Sequence, residues 1–198
     1  MAGPKTPEGQ QSRSSSTAVV SYQQQLWQLY QQALNRRPVL TKALTSALIN
    51  STGNLFAQKL VERQPLDLKR LLRFTVLGFV LSPFSHYWFW LVEQINWQPF
   101  GKWKTLAKVA VDQLVFGPII NVLFYTFLGV LEGKGPRANV SNTRQNLWPT
   151  LRTSWKVWPF ASLVNFYFVP PHLRVLFSNM VGFFWVICLT ILSKRNQK

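Results

Sequence analysis

Three long runs without charged side chains constrain this sequence more than any other feature. Residues 74–92, 113–131 and 175–193 each comprise 19 residues and contain no Asp, Glu, Lys or Arg. A transmembrane helix needs about 20 consecutive, mostly apolar residues to cross the hydrocarbon core of a bilayer. The three runs therefore predict an integral membrane protein of the all-α class.

Two shorter uncharged stretches, residues 43–58 and 157–173, are weaker candidates for membrane segments. Prolines interrupt the second stretch, which favours a bent or interfacial helix; they are Pro159, Pro170 and Pro171. A soluble fold is the alternative, and it would require several helices that are apolar on all faces within one small domain. Nine Trp and fifteen Phe exceed the usual demand of such a core, so the composition favours the membrane.

The formal net charge of +16 raises the question of nucleic-acid binding. The basic residues do not form one cluster beside stacking aromatic side chains. Many of them lie in two connections between uncharged stretches, residues 59–73 and 134–156. This placement predicts contact with anionic lipid headgroups and no nucleic-acid partner. Cys188 is the one cysteine, so an internal disulfide is excluded.

The composition divides the chain into four segments. Residues 1–18 are rich in Ser, Gln, Gly and Pro and are predicted to be a disordered tail, while residues 194–198 form a basic tail. Apolar side chains in residues 19–37 recur at three- and four-residue spacing and predict an amphipathic helix. This helix either lies flat on the membrane surface or packs on its own bundle. Residues 38–193 are the predicted transmembrane helical domain.

We predict a bundle of about four membrane-crossing helices in that domain. The predicted spans are residues 39–60, 71–95, 109–131 and 173–192, with a bent or interfacial helix over residues 148–169. Pro83 is expected to kink the second span, with Ser82 and Ser85 bonding the carbonyls that the proline leaves free. The aromatic residues 87–90 are expected at the membrane interface.

Polar side chains inside the predicted spans are candidates for lining a solute pathway or for packing helices together. They are Asn50, Asn54, Gln58, Asp112, Gln113 and Asn121. Asp112 is the most informative, because a carboxylate near the centre of a span costs about 2.5 to 3.5 kcal/mol on insertion scales. Two interpretations stay open. Asp112 forms an ion pair with Lys108 one helical turn earlier, or it lies at the mouth of a polar pathway.

The sequence contains no catalytic or metal-binding motif, so neither an enzyme nor a cofactor is predicted. The two histidines, His86 and His172, would have to meet to bind a metal, whereas a single histidine satisfied by hydrogen bonds is commoner. Glu93 and Glu132 lie at span ends, where carboxylates reach headgroups or water. Asn139 begins an Asn-Val-Ser glycosylation sequon.

An ordered series of proline, aromatic, glycine and polar residues runs through residues 27–193. Its main members are Pro38, Lys42, Gly53, Pro83, His86 and Trp88, followed by Trp155, Trp158, Pro159, Asn165, Pro170, Arg174 and Trp185. The series resembles the Mpv and peroxisomal-membrane-protein family of small peroxisomal and mitochondrial membrane proteins. Two residues depart from the family pattern. Asn54 stands where many members have Asp, and Ser82 replaces a common glycine.

The resemblance implies a multi-pass protein of the peroxisomal membrane, acting as a passive pore or channel for small solutes and metabolites. Residence in the mitochondrial inner membrane, with a role in organelle homeostasis, is the alternative that the family also implies. A non-conducting membrane scaffold is the second functional class. The expected partners are membrane lipids, further copies of the chain in a homo-oligomer, and the machinery that inserts peroxisomal membrane proteins.

Overall fold

The computed structural model describes residues 8–195, with the side chains of residues 22–185 and 187. All regular structure in this part of the chain is helical, as predicted. The α-helices are α1 Glu8–Arg36, α2 Pro38–Phe56, α3 Leu68–Gln94, α4 Lys104–Val111, α5 Gly117–Leu131, α6 Pro136–Ser154, α7 Trp158–Phe168 and α8 Arg174–Arg195. Two π-helical turns, Ala57–Glu62 and Asp112–Phe116, and two 3-10 turns, Gln98–Trp103 and Pro171–Leu173, complete the order. Residues 1–7 of the predicted tail and residues 196–198 lie outside the described residues.

The first compact unit of the chain, Met1–Pro38, contains α1. This helix begins at Glu8, inside the stretch for which the sequence predicts disorder. Pro7 is the last proline before Pro38, so the intervening backbone can keep its helical hydrogen bonds. Side chains of the predicted apolar face are exposed at Tyr22, Leu26 and Leu29. Its contact with a membrane surface stays a prediction.

Two helical stretches of the described chain are long and apolar enough to cross a membrane. They are α3 and the stretch Gln98–Leu131, which comprises the 3-10 turn Gln98–Trp103, α4, the second π-helical turn and α5. These stretches correspond to the second and third predicted spans. α2 has 19 residues and carries a buried Lys42 among several polar groups. Among the described residues, α2 does not meet the same criterion, and the four-span topology stays a prediction.

α7 is too short to cross a bilayer by itself. Its 11 residues extend about 16 Å, roughly half the thickness of the hydrocarbon core. A turn at residues 155–157 separates α7 from α6, and Pro170 follows its end. The stretch predicted as one bent or interfacial helix is therefore two helices, with Trp148 in α6 and residues 158–168 in α7.

α3 continues through Pro83, but the two neighbouring serines do not act as predicted. Pro83 has no N–H group for the carbonyl of Phe79 one turn earlier. Ser85 Oγ donates to Leu81 O at 3.4 Å instead. Ser82 Oγ is buried and has no hydrogen-bond partner among the described residues. The prediction for these serines is wrong, because neither hydroxyl bonds the carbonyl that the proline leaves free.

Small and polar residues allow α2, α3 and α8 to approach closely. A Cβ atom added to Gly78 of α3 would lie 2.6 Å from Ser46 O of α2. Ser46 Oγ accepts a hydrogen bond of 2.5 Å from Asn179 Nδ2 of α8. Small residues and hydrogen bonds of this kind are typical of helix contacts in membranes. The polar face of α2 is thus turned inward, as predicted.

A second packing centre joins α3, α4, α7 and α8. Its apolar core consists of Phe89, Val92, Trp97, Val109, Phe166 and Val175. Beside this core, Glu93 forms ion pairs with Arg174 and, at 2.7 Å, with Lys108. The buried Arg174 also donates from Nε to Val169 O at 3.3 Å. Glu93, which was predicted to reach headgroups or water, therefore holds two cations within the protein.

The close approach at Gly78 predicts that Gly78→Ala lowers stability. The added methyl group has to displace the backbone of α2, and overpacking of this kind costs about 1–3 kcal/mol. Thermal unfolding in detergent measures the change. Gly182→Ala is the matched control, because a Cβ atom there meets no other atom within 4 Å. Equal melting temperatures for the two variants would contradict the packing described for Gly78.

The cluster at Glu93 predicts unequal effects for its two cations. Arg174→Met removes an ion pair, a bond to Val169 O and a contact with the Phe166 ring, at 5.1 Å from its centroid. We expect a loss of about 3 kcal/mol, the value typical of breaking a buried pair. Lys108→Met removes one ion pair and is expected to cost less. Unfolding of both variants in detergent tests the order, and a larger loss for Lys108→Met would refute it.

Candidate functional site

Asp112 lies inside the apolar stretch Gln98–Leu131, where a π-helical turn begins. In this turn, Gly117 N–H donates to Asp112 O, five residues earlier. Pro118 follows and has no N–H group, and its ring would crowd the preceding turn of a regular α-helix. The wider π-helical turn accommodates this proline. Single π-helical turns within α-helices occur frequently at functional sites.

Three neutral groups hold the buried carboxylate of Asp112. Trp88 Nε1 of α3 donates to Oδ1 at 2.8 Å. Ser162 Oγ of α7 donates to Oδ2 at 2.6 Å, and Gln113 Nε2 donates to the same oxygen at 2.9 Å. The residue is 6% exposed. No Lys or Arg in the described part of the chain forms an ion pair with Asp112.

Of the two interpretations of Asp112, the ion pair with Lys108 is wrong. Lys108 Nζ pairs with Glu93 instead. The carboxylate of Asp112 is directed towards the donors of α3 and α7, whereas the ammonium of Lys108 finds an opposite charge at the end of α3. The spacing of Lys108 and Asp112 along one helix allowed this ion pair, but each side chain bonds to a residue of another helix instead.

Further hydrogen bonds extend from Asp112 to the end of α6. Gln113 Nε2 also donates to Ser162 Oγ at 3.0 Å, and Trp155 Nε1 donates to Gln113 O at 3.3 Å. The Trp88 ring stacks on Phe116, with ring centroids 4.9 Å apart. We call the hydrogen-bonded set the Asp112 network; its members are Trp88, Asp112, Gln113, Trp155 and Ser162. The network joins the π-helical turn to three other helices.

The other predicted pathway residues do not bond to the Asp112 network within the described chain. Gln58 Nε2 donates to Asn54 Oδ1 at 2.8 Å, and Gln58 Oε1 accepts from Asp67 N at 2.7 Å. Asn50 and Asn121 each donate to a carbonyl one turn earlier in the same helix. These amides hold the connection between α2 and α3 and the individual helices.

A second, partly buried polar contact joins α2 and α3. Lys42 Nζ lies 3.0 Å from His86 Nδ1. The prediction that His86 is satisfied by a hydrogen bond is therefore confirmed. In the described residues, no group of three His, Cys, Asp or Glu side chains is placed to hold a metal ion.

The remaining members of the ordered series lie at helix ends and helix contacts. Its prolines lie at the start of α2, in the first turn of α7 and after α7; they are Pro38, Pro159 and Pro170. A Cβ atom on Gly53 would lie 3.0 Å from an aromatic ring of α8. Asn165 Nδ2 donates to Ser178 Oγ of α8 at 3.1 Å. Trp158 and Trp185 are half-buried. These positions favour packing roles.

For two members of the Asp112 network, Ser162 and Trp88, the sequence did not predict the observed position. Ser162 was not singled out, although Ser162 and Asn165 are three residues apart in an otherwise mostly apolar helix and therefore share a polar face. Trp88 was expected at the membrane interface. Its indole turns inward because Asp112 offers an acceptor, and Phe89 turns inward into the apolar core.

Asn139 of the sequon is unsuited to glycosylation in the folded chain. The residue is 7% exposed, and its Nδ2 donates to Thr126 O at 3.0 Å. A glycan would attach to this nitrogen, which lies in the contact between α5 and α6. The residue packs the two helices together.

Comparisons with known proteins extend the resemblance seen in the sequence. The model of the Mpv17 / PMP22 family matches residues 129–190. PXMP2/4 family protein 3 of Dictyostelium discoideum is 44% identical over 168 residues, covering 85% of this chain and 91% of the relative. No solved structure matches the chain.

Two further relatives carry names that place them in organelle membranes. Peroxisomal membrane protein 2 of Bos taurus is 33% identical over 174 residues, covering 83% of this chain and 88% of the relative. Mitochondrial inner membrane protein Mpv17 of Caenorhabditis briggsae is 30% identical over 161 residues, covering 81% of this chain and 88% of the relative. With these relatives matched over most of their length, and with apolar helices of membrane-crossing length, the chain belongs to the Mpv17 / PMP22 family of membrane proteins.

Proposed function

We propose that this chain is a passive pore for small solutes and metabolites in the peroxisomal membrane, rather than an enzyme. The supporting observation is Asp112, a carboxylate buried in an apolar stretch and bonded to three neutral donors. Ionisable groups inside membrane spans are expensive, and they usually mark a path for ions or polar solutes. The neutral partners matter because they leave the carboxylate without a fixed counter-charge in the described chain.

In this proposal, solutes pass beside the Asp112 network, between α3, the π-helical turn and α7. The hydroxyl of Ser162 and the amide of Gln113 can bond a passing polar group in place of Asp112. α7 is short and is followed by Pro170, which interrupts the helical hydrogen bonds between α7 and the next helix. Further copies of the chain complete the wall of the pore in a homo-oligomer.

Conductance of the purified full-length chain in planar bilayers tests the proposal. We expect stepwise currents in the presence of salt, at protein concentrations that support oligomers. Bilayers that stay silent across a range of voltages, lipid compositions and oligomeric states would overturn the pore.

Asp112→Asn is predicted to reduce the preference of the pore for cations over anions. The substitution keeps the size of the side chain and removes the negative charge, whose field is strong in a medium of low dielectric constant. The reversal potential under a salt gradient measures the preference. Glu132→Gln is the charge-matched control, because Glu132 pairs with Lys134 at the end of α5 and lies outside the Asp112 network. Equal reversal potentials for Asp112→Asn and the unmodified chain would contradict a path beside Asp112.

A non-conducting membrane scaffold is the second candidate, favoured by the same network in a different role. Each carboxylate oxygen of Asp112 is satisfied, and the bonds connect α3, the π-helical turn and α7. A group held in this way can serve helix packing alone. The two candidates differ in whether water reaches the network.

Accessibility of introduced cysteines separates the two candidates. In a Cys188→Ser chain, Ser162→Cys is expected to react with a water-soluble thiol reagent if the pore exists. Val164→Cys, on the exposed side of the same helix, is the lipid-facing control and is expected to stay unreactive. Cysteines placed at positions 50, 54 and 121 sample the other polar side chains. Protection at every position would favour the scaffold.

The organelle is part of the proposal. The identity with peroxisomal membrane protein 2 supports the peroxisome, where the insertion machinery of that membrane would be a partner. The mitochondrial inner membrane is the alternative, supported by the relative from Caenorhabditis briggsae. Imaging of the tagged chain against markers of both organelles decides between them, and mitochondrial signal alone would overturn the peroxisomal assignment without affecting the pore.

A further inference from the structure

A groove of about 510 Å³ runs between α5 and α6. Its α5 wall is formed by Val122, Thr126 and Val130, and its α6 wall by Val140, Thr143 and Leu147. Spacings of three and four residues place each set on one face of its helix. The volume lies within the range of ligand pockets. Val130 and Val140 are 61% and 60% exposed, so the groove is open on its outer side.

Asn139 lies deep in the groove, where the two helices touch. Its Nδ2 donates to Thr126 O, and a Cβ atom added to Gly129 would overlap its side-chain amide. Asn139 Oδ1 is buried and has no hydrogen-bond partner among the residues that the structure describes. The Asn139 amide therefore lies against Gly129, at the contact between the two helices.

Two cationic side chains line the same groove. Lys134 stands in the connection between the helices and pairs with Glu132 at 2.8 Å, which uses one of the three donors of its ammonium group. Arg144 lies on α6, is exposed, and forms no ion pair with any residue in the described part of the chain. The groove consequently combines apolar side chains with net positive charge.

We propose that this groove binds an anionic phospholipid of the surrounding bilayer. One acyl chain lies along the valines of α5, which belongs to the apolar stretch Gln98–Leu131. The phosphate accepts hydrogen bonds from Arg144 and Lys134. The positive charge favours an anionic lipid over a zwitterionic one. The position of α5 in an apolar stretch of membrane-crossing length favours a lipid over a soluble peptide.

Native mass spectrometry of the full-length chain in detergent tests the site with two probes, phosphatidylglycerol and phosphatidylcholine with the same acyl chains. We expect preferential retention of phosphatidylglycerol. Arg144→Gln should lower that retention about fivefold, the factor for one cation near an anionic headgroup. Arg152→Gln removes an exposed charge from the same helix outside the groove and should leave retention unchanged. Excess inorganic phosphate should not displace the lipid.

Val140→Trp provides a second variant that keeps every charge and fills the groove. It is expected to lower the retention of both lipids, with melting temperatures recorded in parallel to verify that each variant is folded. Equal retention of the two lipids by the unmodified chain, or equal losses for Arg144→Gln and Arg152→Gln, would overturn the proposal. Displacement by inorganic phosphate would indicate a site for a free anion and would overturn the lipid assignment. If Arg144→Gln fails to fold, unchanged retention of phosphatidylglycerol by Val140→Trp overturns the proposal.

Discussion

The hydrogen bonds that Asp112 accepts from Trp88 and Ser162 join α3 and α7 to the π-helical turn of an apolar stretch. Hydrocarbon offers no partner for a polar group, so each such group in a span has to be satisfied within the protein. This requirement fixes which face of α3 turns inward at Trp88 and sets the position of the short α7. It also explains why Trp155, at the end of α6, donates to the backbone of the same turn.

Glu93 is stabilised differently from Asp112. Glu93 lies near the end of α3 and is held by two cations, beside a core of apolar side chains. Ion pairs there confine charge to the end of the apolar stretch, where solvent and headgroups are closer. Asp112 lies deeper and receives only neutral donors. The contrast between a carboxylate with counter-charges and one without is the physical basis for proposing a role for Asp112 beyond packing.

The proposed pore and the proposed lipid site involve different parts of the stretch Gln98–Leu131. The Asp112 network faces α3 and α7, whereas the groove lies on the face of α5 that contacts α6. α6 is a polar helix packed along an apolar one, and Asn139 bridges them through the carbonyl of Thr126. A lipid at this groove would cover apolar side chains that α6 leaves open, without touching the network.

By itself, the sequence determined the helical class, the second and third apolar stretches, and the family. These follow from local properties: run length, periodicity, proline positions and ordered motifs. Only the tertiary structure decided that Lys108 pairs with Glu93, that Trp88 turns inward, and that Ser162 completes the site around Asp112. Each of these contacts joins residues of different helices, and the spacing of residues along one helix contains no information about which neighbour packs against it.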